Sequence, residues 1–412
     1  MRRTLLLVLL AILVADLRVA MARREVLRAT PGQCDRLAVR VQNADYQRTF
    51  NPSLKSQKRF DKQSRKYATR CVHLNEIQVL GSHNSFHIRP LEPLWTALLN
   101  FIYIFYQIDY THIPLDQQYE TQGIRQIELD VWADPQGGLY ATRNIMKEVD
   151  LPTASGVPQL DDPGYKVIHI ADVDFQSTCF TLRECLEITK SWSDAHPGHL
   201  PIAVLIEMHD DATPDFFQDG FVTPVPIDST QFDALDAEIL SVLPREKLLT
   251  PDDVRRDFPT LEDAVLQYGW PTLGESRGKI MFLLDNGGHY RADYLAGHPS
   301  LAGRILFTSA GPGNDDAAFI KLNSSKTDPI AARVADGYVI RTRADADTEE
   351  ARHNDTTTRD AAIASGAQWV STDYPVPNPD FGTGYFVEIP DGHPARCNPI
   401  TAPAGCRSTA LE

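Results

Sequence analysis

The sequence lacks a segment long enough to span a membrane and lacks the basic balance of a nucleic-acid-binding protein. Its longest apolar run, Leu5–Ala15, is too short to span a bilayer and gives way to Asp16 and Arg18. The 412 residues carry a net charge of −15, which excludes the overall basic balance of a nucleic-acid-binding protein. No internal repeat or low-complexity tract is present. The hydrophobic content of 42% is instead sufficient for one large barrel or two medium domains.

The cysteines lack the close spacing of a zinc site, because no two of them are separated by two to four residues. Their even number favours disulfides over zinc, which stays the alternative. Proximity in the sequence favours the pairs Cys34–Cys71, Cys179–Cys185 and Cys397–Cys406.

Residues 1–22 have the pattern of a secretory signal. Arg2 and Arg3 precede the apolar run, and Ala20-Met21-Ala22 offers a site for cleavage between small residues. A membrane anchor is the alternative interpretation. Together with the cysteines, the pattern predicts a secreted or periplasmic protein.

The rest of the chain divides into three predicted parts. Residues 23–72 form a polar, basic N-terminal extension, residues 73–375 a catalytic domain, and residues 376–412 a tail rich in proline and glycine. Short β-rich runs alternate with helical ones in the central part. The eight predicted strands are Ile77–Leu80, Gln126–Val131, Lys166–Ile170, Ile202–Met208, Lys279–Leu284, Arg304–Ser309, Tyr338–Arg341 and Gln368–Ser371. The predicted helices include Leu182–Trp192, Ser229–Leu243, Asp355–Ser365 and one that begins with a capping box at Thr260–Asp263.

This alternation predicts an α/β fold with a parallel sheet, and eight strands in about 300 residues favour a closed (β/α)8 TIM barrel. A doubly wound open sheet is the alternative. The barrel is favoured because the candidate functional residues fall at the ends of the first four predicted strands, where a barrel assembles its active site.

Two of these strands carry carboxylates in an apolar setting. Glu128 and Asp130 are two residues apart, so they point to the same face of their strand. Glu207 ends the apolar run Ile202–Ile206. A buried carboxylate requires a cation or a basic partner. A metal is the favoured explanation, and an ion pair with Arg341 or Arg125 is the alternative.

Polar residues follow the other two strands. His83 and Asn84 follow the first, and His169 ends the third. The Asn84 amide with Glu128, Asp130 and Glu207 makes an all-oxygen set of ligands that suits Ca²⁺ before Mg²⁺. Two histidines beside such a cation suit acid–base work on a phosphodiester. The alternative interpretations are a turn without function for His83-Asn84 and a structural core histidine for His169. His87, His209 and His289 are further histidine candidates.

Two further groups are candidates for contact with substrate or lipid. Lys321, Arg341 and Arg343 follow apolar runs and are candidates to bind a phosphate or sugar hydroxyls, although each could be a solvated surface charge. The segment Leu91–Ile113 is rich in aromatic residues. It is either the first barrel helix or an interfacial lip that dips into lipid.

Taken in order, these motifs resemble those of the phosphoinositide-specific phospholipases C, and most closely their calcium-dependent, single-domain secreted branch in bacteria and fungi. Further similar motifs are Gly81–Ser85, Trp270–Leu273, Arg277–Ile280 and Val370–Pro375. The resemblance covers roughly residues 73–375. It implies that the calcium ligands are Asn84, Glu128, Asp130 and Glu207 and that the catalytic pair is His83 and His169.

The resemblance also implies a reaction on phosphatidylinositol at a membrane or micelle surface. The inositol 2-hydroxyl would attack phosphorus, giving diacylglycerol and inositol 1,2-cyclic phosphate or inositol 1-phosphate. His83 would stabilise the pentacoordinate phosphorus and His169 would protonate the leaving oxygen. Leu283 and Asp285 stand where the eukaryotic signalling enzymes carry lysines, which argues against a preference for polyphosphorylated headgroups.

Two alternatives remain open at this point. One is a glycerophosphodiester phosphodiesterase or sphingomyelinase-D-like barrel, although those usually carry His-Asp where this chain has His169-Ile170. The other is a non-catalytic secreted barrel that binds lipid or sugar. We expect a monomer with no nucleic acid and no obligate protein partner.

Overall fold

The computed structural model describes residues 28–101 and 103–412, and its main feature is a ten-stranded sheet. The strands are β1 (Ile77–Ser82), β2 (Gln126–Trp132), β3 (Lys166–Val167), β4 (Ile202–His209), β5 (Ile280–Leu284), β6 (Leu306–Thr308), β7 (Phe319–Lys321), β8 (Val339–Arg343), β9 (Trp369–Thr372) and β10 (Ala395–Cys397). Eight of them follow the order β6-β5-β4-β2-β1-β9-β8-β7. Every neighbouring pair along this order is parallel.

The sheet closes on itself between β6 and β7. Ser309, just after β6, forms a parallel bridge with Phe319, and the Ala310 amide donates to the Phe319 carbonyl at 3.1 Å. The predicted (β/α)8 TIM barrel is therefore confirmed, with a short seam at this position.

One predicted barrel strand is wrong and one barrel strand was missed. The predicted strand Lys166–Ile170 is only the two-residue β3, which pairs antiparallel with β2 outside the barrel. The segment has the pattern of a barrel strand because Val167 packs in the core and Lys166 is also buried, with its ammonium 3.2 Å from Asp134. The missing eighth strand is the three-residue β7, which the sequence analysis did not predict.

The register of β2 and β4 places the acidic residues side by side. All of β2 is buried, and the Cα partners include Asp130 with Glu207 and Glu128 with Leu205. The intervening Ile127 and Leu129 pack in the core. Glu128, Asp130 and Glu207 therefore belong to one region of the barrel interior near the ends of their strands.

Helices connect most of the strands. Their bounds are α1 (Pro31–Phe50), α2 (Leu54–Cys71), α3 (Leu94–Phe101), α4 (Leu115–Thr121), α5 (Leu182–Ala195), α6 (Ser229–Val242), α7 (Pro251–Arg255), α8 (Leu261–Gln267), α9 (Leu273–Ser276), α10 (Gly288–Leu295), α11 (Ile330–Asp336), α12 (Glu349–His353) and α13 (Thr357–Ala364). The four predicted helices are confirmed as α5, α6, α8 and α13. The Thr260 hydroxyl caps α8 by accepting from the Asp263 amide at 3.0 Å. No helix in the described ranges has the length and apolar character needed to cross a membrane.

The N-terminal extension is a pair of helices, α1 and α2, joined by the Cys34–Cys71 disulfide. It packs at the end of the barrel where the strands begin. His73, just before β1, bridges Thr272, and a Cβ on Gly274 would lie 2.5 Å from the Thr69 carbonyl oxygen. The other two predicted disulfides, Cys179–Cys185 and Cys397–Cys406, are also confirmed.

The C-terminal tail returns to the same end of the barrel. β10 pairs antiparallel with β1, and the buried Leu411 packs in the core. The Glu412 carboxylate pairs with Arg125, just before β2, and accepts from the Leu200 amide at 2.8 Å. The predicted boundaries at residues 72 and 375 stay predictions, and the predicted signal at residues 1–22 lies outside the described residues.

Candidate active site

The end of β1 delivers His83 and Asn84 to the barrel mouth. The His83 amide donates to the Thr372 carbonyl at 3.0 Å, which fixes this turn against β9. Asn84 has a φ of 41°, in the left-handed region that asparagine tolerates better than most residues. The Ser85 amide and hydroxyl then bond to the backbone of Glu128 at 2.9 Å. Two of the three segments that carry the predicted metal ligands are therefore joined directly.

A cluster of carboxylates lies on β2 and β4, next to the segment that carries Asn84. Glu128 and Asp130 are only 2% and 1% exposed, and Glu207 projects beside Asp130 from β4. Asp285 adds a fourth carboxylate, because its amide bonds to the Ile206 carbonyl at 2.8 Å and places it next to Glu207. His209 reaches the same region, with Nε2 3.7 Å from an Asp130 oxygen. Possible ligand atoms of Asp130, Glu207 and His209 lie within 4.8 Å of one another.

Burial and mutual repulsion raise the pKa values of two carboxylates in the cluster. Burial raises the pKa of Glu128 to about 8, and the charges of Asp285, Asp130 and Glu207 add to this effect against that of Arg341. Burial raises the pKa of Glu207 to about 7, with Asp130 and Asp285 adding to it. A bound divalent cation would relieve this mutual repulsion.

Unpartnered oxygens in the cluster fit a cation that prefers oxygen ligands. The Oδ1 atoms of Asn84, Asp130 and Asp285 are buried and accept no hydrogen bond from the described residues. Leaving such oxygens unpaired costs free energy that coordination would recover. Carboxylate and amide oxygens without thiolates are the ligands of Ca²⁺, so the residues present fit that ion.

The alternative of a buried ion pair holds for one of the carboxylates. Arg341 donates from Nη2 to Glu128 Oε2 and from Nε to the Ser371 hydroxyl, the latter at 3.0 Å. Arg125, the other residue considered, pairs with Glu412 instead. Arg341 thus occupies Oε2 of Glu128, while Oε1 accepts no ion-pair hydrogen bond from the described residues.

His169 belongs to a chain of two histidines and one carboxylate. Its Nδ1 and the Nε2 of His87 both lie 2.7 Å from the same Asp174 oxygen. Burial disfavours the charged imidazole, but the hydrogen bond and charge of Asp174, with Asp130 and Glu207, raise the pKa of His169 to about 9. His169 therefore holds a proton at neutral pH and can donate it.

His83 has different neighbours. Its Nδ1 lies 2.7 Å from Asp373 Oδ1, and its Nε2 lies 3.0 Å from Arg343 Nη1. Arg343 also donates to the second Asp373 oxygen at 2.8 Å. Burial and the Arg343 charge lower the pKa of His83 to about 3 despite Asp373. His83 is thus a neutral imidazole beside a fixed guanidinium.

A cavity of about 290 Å³ brings the two histidines together. It is lined by His83, His169, Arg343, Asp373 and Tyr110, among others. Of the three predicted substrate-binding bases, only Arg343 lines this cavity. Lys321 pairs with Asp285, and the buried Arg341 holds Glu128.

Sequence reasoning missed Asp174 and Asp373 and did not assign Asp285 to the cluster. Asp285 had a usable signal, because it directly follows the fully buried strand β5, as Glu207 follows an apolar run. Asp373 directly follows β9 in the same way. Asp174 lies in a loop five residues beyond His169, where no periodic pattern marks it. His169 itself ends no barrel strand, which corrects its predicted placement.

An apolar cavity of about 210 Å³ adjoins the cavity that the two histidines line. Its lining is almost wholly hydrophobic and shares Phe105 and Ile170 with the cavity of the histidines. Phe101 and Phe216, at its edge, are exposed, as is Leu91. The segment predicted as a barrel helix or lip supplies α3, whose Leu94, Trp95 and Leu98 are buried while Phe101 remains on the surface.

A parallel barrel whose mouth holds two histidines beside a buried cluster of oxygen ligands defines a class, the metal-assisted phosphodiesterases. Comparison with known families makes the class specific. The sequence model of "Phosphoinositide phospholipase C, Ca2+-dependent" matches residues 72–399. The chain belongs to this family, which makes it a calcium-dependent phospholipase C acting on phosphoinositides.

Solved structures with a similar chain include two phospholipases C. The first is a calcium-dependent phosphoinositol-specific phospholipase C from a Gram-negative bacterium, Pseudomonas sp, in its apo form, with 16% identity and a TM-score of 0.49. The alignment covers 80% of this chain and 96% of that one. The second is a Ca²⁺-dependent phosphatidylinositol-specific phospholipase C from Streptomyces antibioticus, with 17% identity, a TM-score of 0.47 and coverage of 76% and 97%. A comparison with curated proteins found no match.

Proposed function

We propose that this chain cleaves phosphatidylinositol at a lipid surface by attack of the inositol 2-hydroxyl on phosphorus. The products are diacylglycerol and inositol 1,2-cyclic phosphate, which water opens to inositol 1-phosphate. The observation that carries this proposal is the 290 Å³ cavity that His83, His169 and Arg343 line together. One cavity thus offers a proton donor, a neutral imidazole and a fixed cation to a single phosphodiester.

The proposed calcium ligands are Asn84, Glu128, Asp130 and Glu207. Support comes from the unpartnered oxygens of Asn84 and Asp130 and from the raised pKa values of Glu128 and Glu207. Calcium held there would lower the pKa of the attacking hydroxyl and stabilise negative charge on the phosphoryl oxygens. The carboxylate cluster supplies an acceptor for the hydroxyl proton.

His169 is the proposed general acid. Its proton, retained at neutral pH, goes to the diacylglycerol oxygen as the bond to phosphorus breaks. His87 and Asp174 orient the ring, because Asp174 accepts from both imidazoles and leaves His169 Nε2 to face the cavity.

His83 and Arg343 are proposed to stabilise the pentacoordinate phosphorus. Arg343 is anchored by two contacts, one to His83 and one to Asp373, so its charge is already in place when the phosphate enters. Lys321 and Arg341 stay candidates for substrate binding, but each would first have to leave a carboxylate partner. The pairing of Lys321 with Asp285 supports a headgroup without additional phosphates.

The lipid part of the substrate is proposed to meet the apolar cavity and the exposed Phe101 and Phe216. Both features lie next to the catalytic cavity, where acyl chains would emerge. We further propose an exported monomer whose residues 1–22 are removed as a signal, followed by the extension, barrel and tail described above. The three disulfides support folding outside a reducing compartment.

Phosphorus NMR on micellar phosphatidylinositol tests this proposal. We expect the diester signal to give way to the cyclic phosphate and then to inositol 1-phosphate when Ca²⁺ is present, with no change in excess chelator. Glycerophosphocholine should remain intact. Cleavage of glycerophosphocholine instead would favour the glycerophosphodiesterase alternative, and no turnover of either would favour a binding barrel.

A further inference from the structure

The α1–α2 hairpin is strongly basic in an acidic protein. Residues 31–71 contain ten Lys and Arg but only three Asp, a net charge of +7, whereas the whole chain carries −15. Six of the cations lie on α2 within twelve residues and are all exposed. They are Lys55, Lys58, Arg59, Lys62, Arg65 and Lys66.

These cations have no internal task that explains them. In the described part of the chain, none of the six has a side-chain hydrogen bond or an ion pair, unlike Arg48 of α1, which pairs with Asp45 at 2.7 Å. Lys55, Lys58 and Lys62 follow one another at helical spacing, so they form one row along the helix. Like charges in such a row repel one another, so the row lowers the stability of the helix unless an external anion binds it.

The tip of the hairpin adds exposed apolar side chains. Tyr46, Phe50 and Leu54 surround the turn between the two helices and are 60%, 70% and 73% exposed. The Tyr46 and Phe50 rings lie 4.4 Å apart, which makes a continuous apolar surface. Lys55 and Lys58 begin directly behind it. An apolar tip followed by cations is the pattern of a segment that binds the interface of an anionic bilayer.

The hairpin and the catalytic mouth lie at opposite ends of the barrel. α2 leads through His73 into the start of β1, while His83 and Asn84 follow its end. A bilayer bound by the hairpin is therefore not the surface that the mouth faces. A hydrated polyanion would satisfy the lysines equally well, but it offers nothing to Tyr46, Phe50 and Leu54.

We propose that the α1–α2 hairpin docks the protein onto an anionic phospholipid bilayer, independently of the phosphoinositide site. The cations bind the headgroups and the tip enters the interface. The mouth then stays accessible to substrate in another surface.

Vesicles of phosphatidylcholine with and without phosphatidylglycerol, which contain no inositol lipid, test this in a sedimentation assay at 0.1 M salt. We expect the full chain to prefer the anionic vesicles. Replacing Lys55, Lys58 and Lys62 with Gln should weaken binding on the order of a hundredfold, at about 1 kcal/mol per cation. The matched control replaces three cations on outer barrel helices and should change binding less than threefold. It consists of Lys190→Gln, Arg255→Gln and Arg333→Gln.

A second pair of variants tests the tip. Phe50→Ser with Leu54→Ser should lose about tenfold in affinity at 0.5 M salt, where the apolar contribution remains. Leu240→Ser with Leu266→Ser, two exposed leucines on α6 and α8, is the control and should bind like the unmodified chain.

Three results would overturn the proposal. The first is equal binding to both kinds of vesicle, and the second is equal loss in the lysine variant and its control. The third is binding to inorganic polyphosphate with an unaffected tip variant, which would assign the hairpin to a soluble polyanion. Turnover of inositol 1,2-cyclic phosphate should be unchanged in every variant. That readout separates failure of docking from misfolding or failure of the proposed activity.

Discussion

At the residue scale, the two histidines proposed as catalytic look equivalent in the sequence and differ in the structure. Each has an aspartate at 2.7 Å. The difference comes from the third group, since His169 faces the carboxylate cluster and gains a proton, whereas His83 faces Arg343 and loses one. These third groups come from distant parts of the chain, so no local motif indicates them.

Leaving-group chemistry should separate the two histidines. His169→Ala should lose roughly 10²–10⁴-fold on phosphatidylinositol but much less on a nitrophenyl ester of inositol 1-phosphate, whose leaving group needs little protonation. His83→Ala should lose a similar factor on both substrates, because charge develops on the phosphoryl oxygens in either case. The measurement is kcat/KM for both variants on both substrates. Equal losses throughout would remove the general-acid role from His169.

A histidine far from the site should make stability depend on pH. Burial lowers the pKa of His199 from 6.5 to about 4, although the Leu200 carbonyl and Glu412 oppose this. Below pH 6.5 the unfolded chain binds a proton that the folded chain does not, so stability falls as the pH drops towards 4.

Between pH 8 and pH 5 this histidine should account for about 2 kcal/mol of the loss in unfolding free energy. Urea unfolding of His199→Asn should show a correspondingly weaker pH dependence than the unmodified chain. His353→Asn, at an exposed histidine, is the control and should keep the original dependence. The same pH dependence in His199→Asn would contradict the assignment.

At the scale of elements, the sequence predicts strands and site residues best where an apolar run and a polar residue at its end occur together. Seven predicted strands lie in the barrel, and the carboxylates that follow buried runs meet in one cluster. The prediction of Lys166–Ile170 as a barrel strand is wrong because a buried strand outside the barrel has the same apolar pattern as a strand inside it. β7 was missed because its place in the barrel depends on pairing with β8, which lies elsewhere in the sequence.

Removing a disulfide should loosen the segment that it ties and leave the rest of the molecule unchanged. Cys34–Cys71 spans 37 residues and ties α1 to α2, so the chain-entropy estimate of its contribution is about 4 kcal/mol, an upper value. Replacing both cysteines with Ser should raise amide exchange in α1 and α2 far more than in β1, β2 and β4. Hydrogen-exchange mass spectrometry measures this directly. The same double replacement at Cys397 and Cys406 serves as a comparison, which should loosen β10 instead, and uniform loosening would contradict both expectations.

At the scale of the whole molecule, a single net charge hides two opposite regions. The carboxylate cluster lies at one end of the barrel and the basic hairpin at the other. The value of −15 correctly describes the sum and says nothing about this separation. Only the fold shows that residues 31–71 form one body at the end opposite the mouth.

Calcium should stabilise the entire fold, because only the folded state brings together the proposed ligands from β2, β4 and the segment after β1. At a calcium concentration one hundred times Kd, the gain is about 2.7 kcal/mol. The midpoint temperature of thermal unfolding should therefore be several degrees higher with Ca²⁺ than in excess chelator. Asp130→Asn should lose most of the shift, while Asp380→Asn, at an exposed carboxylate, should keep it. An undiminished shift in Asp130→Asn would place the ion elsewhere.

The barrel end at which Arg28 and Glu412 lie offers positions for attaching the molecule to a support. Arg28 lies 3.1 Å from His73 and Glu412 pairs with Arg125, so both positions lie on the side away from the catalytic cavity. A cross-linker attached to a side chain at either position would extend away from the cavity. The enzyme could be immobilised on a bead through this side, with every molecule presenting its cavity outward.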